Sequence, residues 1–257
     1  MTEVRSLLLG SELMSILISG STGKLGKELA RIFPEAHTPT RQELDITSRT
    51  SVDDYVKRVK PETIIHCAAL TGVRECEENK HLAWKTNVEG TENLVRACLS
   101  FKTDVYFCYI STACVFHGDV GDYTEKDIPY PKNFYSLTKL LGEFILKYSG
   151  LSKWLVVRTN FVSREAWPYE RAFTDRYGTY LFADDLAQAL RSVISTNLTG
   201  TVHICGDEKL SMFELARITT PTIKPVTLAD YNGPPLTVDM SLRSIYIKPF
   251  KITRHVE

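Results

Sequence analysis

An α/β fold on a doubly wound parallel sheet, with a small C-terminal lobe, is what this sequence predicts, and three observations carry the prediction. Apolar runs at residues 15–19, 63–69, 105–110 and 154–158 alternate with segments of helical periodicity, the pattern of a parallel sheet covered by helices on both faces. The first run passes directly into three glycines, Gly20, Gly23 and Gly26, and then into a helix-forming stretch. With 257 residues, the chain is long enough for one substantial α/β domain and an attached lobe.

The elements follow in order. Residues 24–33 form a helix with Leu25, Leu29, Ile32 and Phe33 on one face, and residues 36–40 form a weak second strand. Residues 48–60 form a helix, with Ser48 as N-cap and Val52, Tyr55, Val56 and Val59 as its apolar stripe. Pro61 opens the strand at 63–69, a long helix covers 82–100, and a strand follows at 105–110. A helix at 135–148 and a strand at 154–158 complete the regular part. Beyond that come a helix at 184–194, a strand at 201–204, a helix at 212–218 and proline-rich loops around short strands at 219–250.

Composition narrows the function classes. Lys+Arg and Asp+Glu number 31 each, which gives no electrostatic argument for nucleic acid or an anionic membrane as partner. No apolar run approaches the roughly 20 residues of a membrane span. Leu7-Leu8-Leu9 is flanked by Glu3, Arg5 and Glu12, a poor secretory signal, so residues 1–13 are expected to be a peripheral extension, with Met14 an alternative start. None of the six cysteines forms a Cys-x-x-Cys pair. They read as buried reduced thiols, which points to the cytoplasm and gives no support for a metal site.

Chemistry concentrates just after the strands. Strand, glycine turn and helix make a Rossmann-type phosphate site: Gly20 permits the tight turn, Gly23 lets backbone approach a pyrophosphate, and Gly26 lets the helix pack closely. Tyr135 and Lys139 lie four residues apart and so share one helix face. A neighbouring ammonium favours the phenolate, so this pairing predicts a Tyr135 pKa lowered toward the working range. Tyr-x-x-x-Lys alone is common on amphipathic helices. It gains weight after a strand ending Ile110-Ser111-Thr112, where a hydroxyl and a phenol could hold a carbonyl oxygen between two donors.

At this point the chain resembles the extended short-chain dehydrogenase/reductase family, in its dTDP-4-dehydrorhamnose reductase-like branch, from Met14 to about residue 245. The resemblance rests on Gly20-x-x-Gly23-x-x-Gly26, Glu43-Leu44-Asp45-Ile46-Thr47, His66-Cys67-Ala68-Ala69-Leu70-Thr71 and Asn87-Val88-Glu89-Gly90-Thr91. It rests further on Ser111-Thr112-x-x-Val115-Phe116-x-Gly118, Tyr123-Thr124-Glu125, Tyr135-x-x-x-Lys139, Val157-Arg158-Thr159 and Asp184-Asp185-Leu186-Ala187. It implies a dinucleotide-binding Rossmann domain at residues 14–158 and a small substrate-binding lobe at 159–257, interleaved with the last Rossmann elements. It implies that Gly20, Ser21, Thr22, Gly23, Lys24, Leu25 and Gly26 line the pyrophosphate, that Asp45 and Ile46 flank the adenine, and that Ala68 and Ala69 run under the cofactor. Thr112 would hydrogen-bond the reacting carbonyl, Tyr135 would pass the proton, and Lys139 would hold the nicotinamide ribose. Thr71, Ala113, Arg158, Thr159 and Asn160 would face the substrate, and Asn87 would be a structural or water-relay residue.

The cofactor follows from charge. The end of the second strand reads Thr38-Pro39-Thr40-Arg41, with no carboxylate to grip a ribose 2′-hydroxyl and one guanidinium suited to a 2′-phosphate. NADPH is favoured over NADH, unless Arg41 pairs with Glu43 or merely faces solvent. Two departures bear on the substrate. Ala113-Cys114 stands where the branch usually has Asp-Tyr, and the segment between Thr159 and Asp175 is shortened. Trp167, Tyr169, Arg171 and Phe173 in that segment offer either a stacking and charged surface for a nucleotide or an ordinary packed loop. The expected function is reduction of a nucleotide-linked 4-keto-6-deoxy sugar, by a protein for which a homodimer is open. The alternatives are an NAD-dependent sugar-nucleotide epimerase and a non-catalytic NADP-binding regulatory subunit.

Overall fold

The computed structural model describes residues 15–101 and 104–254, so the extension expected at 1–13 lies outside the described residues. The first apolar run becomes β1 (Ile16–Ser19) and is followed by α1 (Lys24–Ile32). Then comes α2 (Arg49–Val59), capped by the Ser48 hydroxyl, which accepts from the Ser51 N–H. β2 (Thr63–His66) is shorter than predicted, and residues 67–70 leave it as irregular backbone. A short helix that the periodicity did not announce, α3 (Val73–Glu78), leads into α4 (Lys80–Trp84), a π-helical turn at Lys85–Glu89 and α5 (Gly90–Ser100). The helix predicted at 82–100 is therefore present, but one turn of it is widened.

β3 (Tyr106–Ile110), α6 (Phe134–Lys147) and β4 (Lys153–Arg158) follow as expected. The region beyond holds β5 (Phe161–Val162), β6 (Arg171–Phe173), β7 (Tyr177–Gly178) and β8 (Leu181–Phe182), then α7 (Ala183–Ile194) and β9 (Gly200–His203). β10 (Leu210–Ser211), α8 (Met212–Thr219), β11 (Lys224–Val226) and β12 (Asp239–Met240) close the chain.

Five parallel strands make the central sheet, in the order β1-β2-β3-β4-β9. The weak strand predicted at 36–40 does not form. His37 alone in that run bridges the outer side of β1, with the Ile18 N–H donating to its carbonyl at 2.9 Å and its own N–H donating to the Ile16 carbonyl at 2.7 Å. Pro39 has no N–H with which to extend the ladder, and the Ser21 hydroxyl engages the carbonyls of Thr38 and Pro39 instead. The chain thus leaves β1 toward one side and returns through β2 on the other. The carboxyl end of β1 is a switch point of this kind of sheet, where a crevice opens.

Successive strand residues face opposite sides. Ile18, Cys108 and Leu155 pack with Leu29 of α1 and Leu190 of α7, while Leu17, Phe107 and Val156 pack with Val52 and Val56 of α2 and Leu94 of α5. With both faces covered, the strands read as near-continuous apolar runs. A third cluster, including Phe116, Tyr180, Phe182 and Met240, packs the segment after β3 against elements beyond β4.

Candidate active site

The glycine turn after β1 divides its work among its three members. Gly20 has φ of +74°, and a Cβ there would lie 2.6 Å from the Ala68 nitrogen. A Cβ on Gly26 would lie 2.2 Å from the Gly20 carbonyl oxygen, so Gly26 is what lets α1 sit down on the turn. Gly23 is less crowded, with the Gly20 oxygen 3.2 Å from the position of its Cβ. No side chain caps α1 at Gly23. The first N–H groups of the helix are therefore open toward the groove that Gly23, Lys24, Leu25 and Gly26 line, an arrangement that suits a phosphate.

Two cavities of about 240 and about 560 Å³ share Gly20, Gly23, Cys67 and Ala69 and so form one groove. Thr22, Arg41, Asp45, Ile46 and Ala68 line the smaller part. Lys24, Leu25, Gly26, Thr71, Thr112, Tyr135, Thr159 and Asn160 line the larger part. Ser21, Ala113, Lys139 and Arg158, also expected at the site, are not among the lining residues. Ser21 holds the loop at Thr38 and Pro39, and Ala113 is fully buried. Arg158 is engaged in a buried ion pair with Glu143, at 2.7 Å.

One of the open alternatives for Arg41 closes: it does not pair with Glu43, while its side chain remains exposed. The Glu43 carboxylate accepts from the Thr40 N–H at 2.8 Å and from its hydroxyl at 2.9 Å, bonds that hold its pKa below the usual value. Arg41 lines the groove, and among the described residues no carboxylate forms an ion pair with it.

Thr112 and Tyr135 meet where the groove passes the end of β3. The ladder continues past that strand, with Ser111 N–H donating to Val157 O and Ala113 N–H to Thr159 O, which fixes Thr112 between them. The Thr112 oxygen accepts from the Cys114 N–H at 3.1 Å. On the facing helix, Asn133 caps α6 by accepting from the Ser136 N–H at 2.9 Å, which brings Tyr135 into the first turn. The lowered phenol pKa expected from the Lys139 neighbour is not found. Burial pushes Tyr135 upward, the Cys114 thiol adds to that, and only the hydrogen bond with Thr112 pulls it back.

Lys139 lies one turn below, 4% exposed, with its ammonium 4.1 Å from the centre of the Tyr109 ring. Burial pushes its pKa down to about 8, against the opposing influence of Cys67 and Glu143. Among the described residues no carboxylate forms an ion pair with it, because Glu143 is held by Arg158 and by the Ser111 hydroxyl. The Lys139 ammonium keeps donors free of any carboxylate, although it does not itself line the groove.

Comparison with known proteins follows the same lines. Residues 14–232 match a family model described as the RmlD substrate binding domain. The chain belongs to this family. It is 30% identical over 222 residues to a dTDP-4-keto-6-deoxy-D-glucose reductase of Streptomyces niveus, covering 79% of this chain and 76% of that protein. It is 26% identical over 235 residues to the methionine adenosyltransferase 2 subunit beta of Mus musculus, covering 78% and 70%. A crystal structure of dTDP-4-dehydrorhamnose reductase from Bacillus anthracis in complex with NADP superposes with a TM-score of 0.81, at 28% identity and 90% coverage of both chains.

Within this RmlD-family frame, two features escaped sequence reasoning, and a third, Asn87, was expected but without its partners. Cys67 forms part of the floor shared by both cavities, although its sequence context showed only a strand end. Cys114, in a position read as a loss, faces Met240 with sulfur atoms 3.2 Å apart. Asn87, in the widened turn, accepts from the Leu70 N–H at 2.7 Å and donates to the Leu70 carbonyl and the Thr138 hydroxyl, both at 2.9 Å. It thereby ties the loop after β2 to α6, as a structural residue. The motif around Asn87 was visible in the sequence, whereas its partners 17 and 51 residues away were not.

Proposed function

We propose that this chain is an NADPH-dependent reductase of a nucleotide-linked 4-keto-6-deoxy sugar. The observation that carries the reading is the Thr112–Tyr135 pair on a groove that runs unbroken from the glycine turn, with an unpaired Lys139 ammonium one helical turn below. The residues suit the dinucleotide. The open helix start takes its pyrophosphate, Asp45 and Ile46 flank the adenine end, and Arg41 without an ion-pair partner answers a 2′-phosphate. The names of its relatives favour the same substrate and cofactor class. Residues 14–158 would carry the cofactor and residues 159–257 the sugar nucleotide. The chain has no helix among its described residues that is long and apolar enough to cross a membrane, and the proposed location is the cytoplasm.

NADPH, when bound, supplies the hydride. The protein positions the keto group and delivers the proton. A phenol whose pKa is raised by burial keeps its proton at neutral pH and so has one to give, the protonation state a reductase requires. Thr112 orients the carbonyl oxygen beside Tyr135, and the Lys139 ammonium holds ribose hydroxyls in register with that pair. As the carbonyl becomes a hydroxyl, the Tyr135 proton moves to its oxygen, and Thr112 and Lys139 steady the phenolate left behind.

The test is NADPH oxidation across a panel of nucleotide-linked 4-keto-6-deoxy sugars. Wild-type protein should oxidise one NADPH per sugar reduced, and Tyr135→Phe should lower kcat by about 10²–10⁴-fold with NADPH binding retained. Full activity in Tyr135→Phe would refute the assigned role. The similarity to a methionine adenosyltransferase subunit motivates a second reading, a dinucleotide-binding partner subunit. NADPH binding without turnover on the whole panel, together with a stable protein partner, would favour it.

A further inference from the structure

The outer wall of the groove carries a cation without an anion. Arg176, in the turn that enters β7, lines the groove together with Tyr180, Met212 and Met240. Its Nε donates to the Thr237 carbonyl at 2.9 Å, and its two terminal nitrogens rest on thioethers, Met212 Sδ at 3.2 Å and Met240 Sδ at 3.3 Å. Among the described residues no carboxylate forms an ion pair with it. The carboxylates nearby are otherwise engaged. Asp239, which like Arg176 acts on the Tyr180 phenol, is held by Lys209 at 2.5 Å, and Glu165, on the groove, accepts from the Ser163 hydroxyl. Thioethers are weak acceptors, so most of the guanidinium's donors lack a strong partner. A partly buried charge in that state is costly unless a ligand supplies the counter-charge.

Position adds the second argument. Met240 Sδ touches Arg176 on one side and the Cys114 thiol on the other, and the Cys114 N–H donates to Thr112. The guanidinium is thus linked to the reacting hydroxyl through only two intervening residues, Met240 and Cys114. Tyr180 belongs to the same wall, and its hydroxyl is buried with no hydrogen-bond partner.

We propose that Arg176 anchors the diphosphate of the sugar nucleotide, with the Tyr180 hydroxyl as its neighbouring donor, and that these two replace the polar pair lost at Ala113 and Cys114. The inference rests on the reductase reading for its choice of ligand. The planar guanidinium fork matches two phosphate oxygens at once, and the thioether platform holds it without competing for them. The anchor sets how far from Thr112 the sugar's phosphate attachment must lie, and so which carbon of the hexose reaches the reaction centre.

The test is calorimetric titration of the full-length protein saturated with NADP, using deoxythymidine diphosphate and uridine diphosphate against the matching nucleosides. Wild-type protein should bind a diphosphate at least about tenfold more tightly than its nucleoside, a difference of about 1.4 kcal/mol. Arg176→Gln and Arg176→Met should abolish that ratio and leave NADP affinity unchanged. The methionine variant preserves the packing against Met212 and Met240 should the glutamine variant fail to fold. An undiminished ratio in a folded variant overturns the proposal, as does the absence of any diphosphate preference in wild type. A parallel loss of NADP affinity would assign Arg176 to the cofactor and likewise overturn it. A protein that binds diphosphate through Arg176 yet reduces no 4-keto sugar would refute the reductase reading and leave the anchor standing.

Discussion

Glu143 and Arg158 form a bidentate ion pair beneath the groove, Nη2 to Oε2 at 2.7 Å, with side chains only 5% and 7% exposed. The Ser111 hydroxyl donates to the same carboxylate at 2.5 Å. This pair consumes the one carboxylate that influences Lys139 and so leaves that ammonium without an ion pair among the described residues. Removing one partner strands a buried charge, so Arg158→Met should lower stability by about 3–5 kcal/mol in urea unfolding. The double variant Glu143→Leu/Arg158→Met should recover most of the loss. A single variant within about 1 kcal/mol of wild type would contradict a structural role for the pair.

Lys139 makes a pH-dependent prediction whose sign can be worked through. Its pKa in the folded protein is about 8, below the ordinary 10.5. Below about pH 8 both folded and unfolded chains hold the proton. Between about pH 8 and about 10 the unfolded chain holds more, so the contribution of Lys139 to stability rises with pH across that window. The difference in urea midpoint between wild type and Lys139→Met should therefore shift in favour of wild type as pH is raised from about 7.5 to about 9.5. Parallel pH profiles for the two proteins would show that the ammonium is not desolvated as described.

Gly26→Ala tests the seat of α1. The added methyl would meet the Gly20 carbonyl at 2.2 Å, and backbone cannot swing aside as a side chain can. A stability loss of about 1–3 kcal/mol should come with weaker NADPH binding, because the same shift moves the open helix start. Unchanged thermal midpoint and cofactor affinity would show that the turn is more pliable than the packing implies.

Arg41→Ala addresses cofactor choice. With Glu43 occupied by Thr40, the guanidinium is expected to spend its charge on the 2′-phosphate. The preference for NADPH over NADH should fall about tenfold, equivalent to about 1.4 kcal/mol of a charge-assisted contact. Titrations of the two nucleotides against wild type and variant measure it directly, and an unaltered ratio would move phosphate recognition elsewhere.

What was legible in the sequence was what is local. Strand, glycine turn and helix occupy a dozen consecutive residues, and Tyr135 and Lys139 share a helix face by spacing alone. What was not legible depends on distant partners. The strand at 36–40 reduced to His37 because Pro39 has no N–H and Ser21 engages the carbonyls beside it. The direction of the Tyr135 pKa was misjudged because the sequence showed a neighbouring charge but not the burial that outweighs it. Arg158 was expected to face the substrate, and its pairing with Glu143, 15 residues earlier, was not visible. Arg176 drew no notice at all, since a guanidinium resting on two methionines becomes visible only once β7, α8 and β12 are assembled.

The widened turn at Lys85–Glu89 makes the number of residues in this helix a determinant of the site, beside their identity. A π-turn holds one residue more than an α-turn, so deleting a single residue there would yield a smoother and more regular helix. The flanking helices would stay in phase, and the change would fall on the turn itself, carrying the amide of Asn87 off Leu70 and Thr138. Such a protein would fold, give a helical spectrum and have a slackened floor under its groove. In this helix, regularity and competence pull in opposite directions.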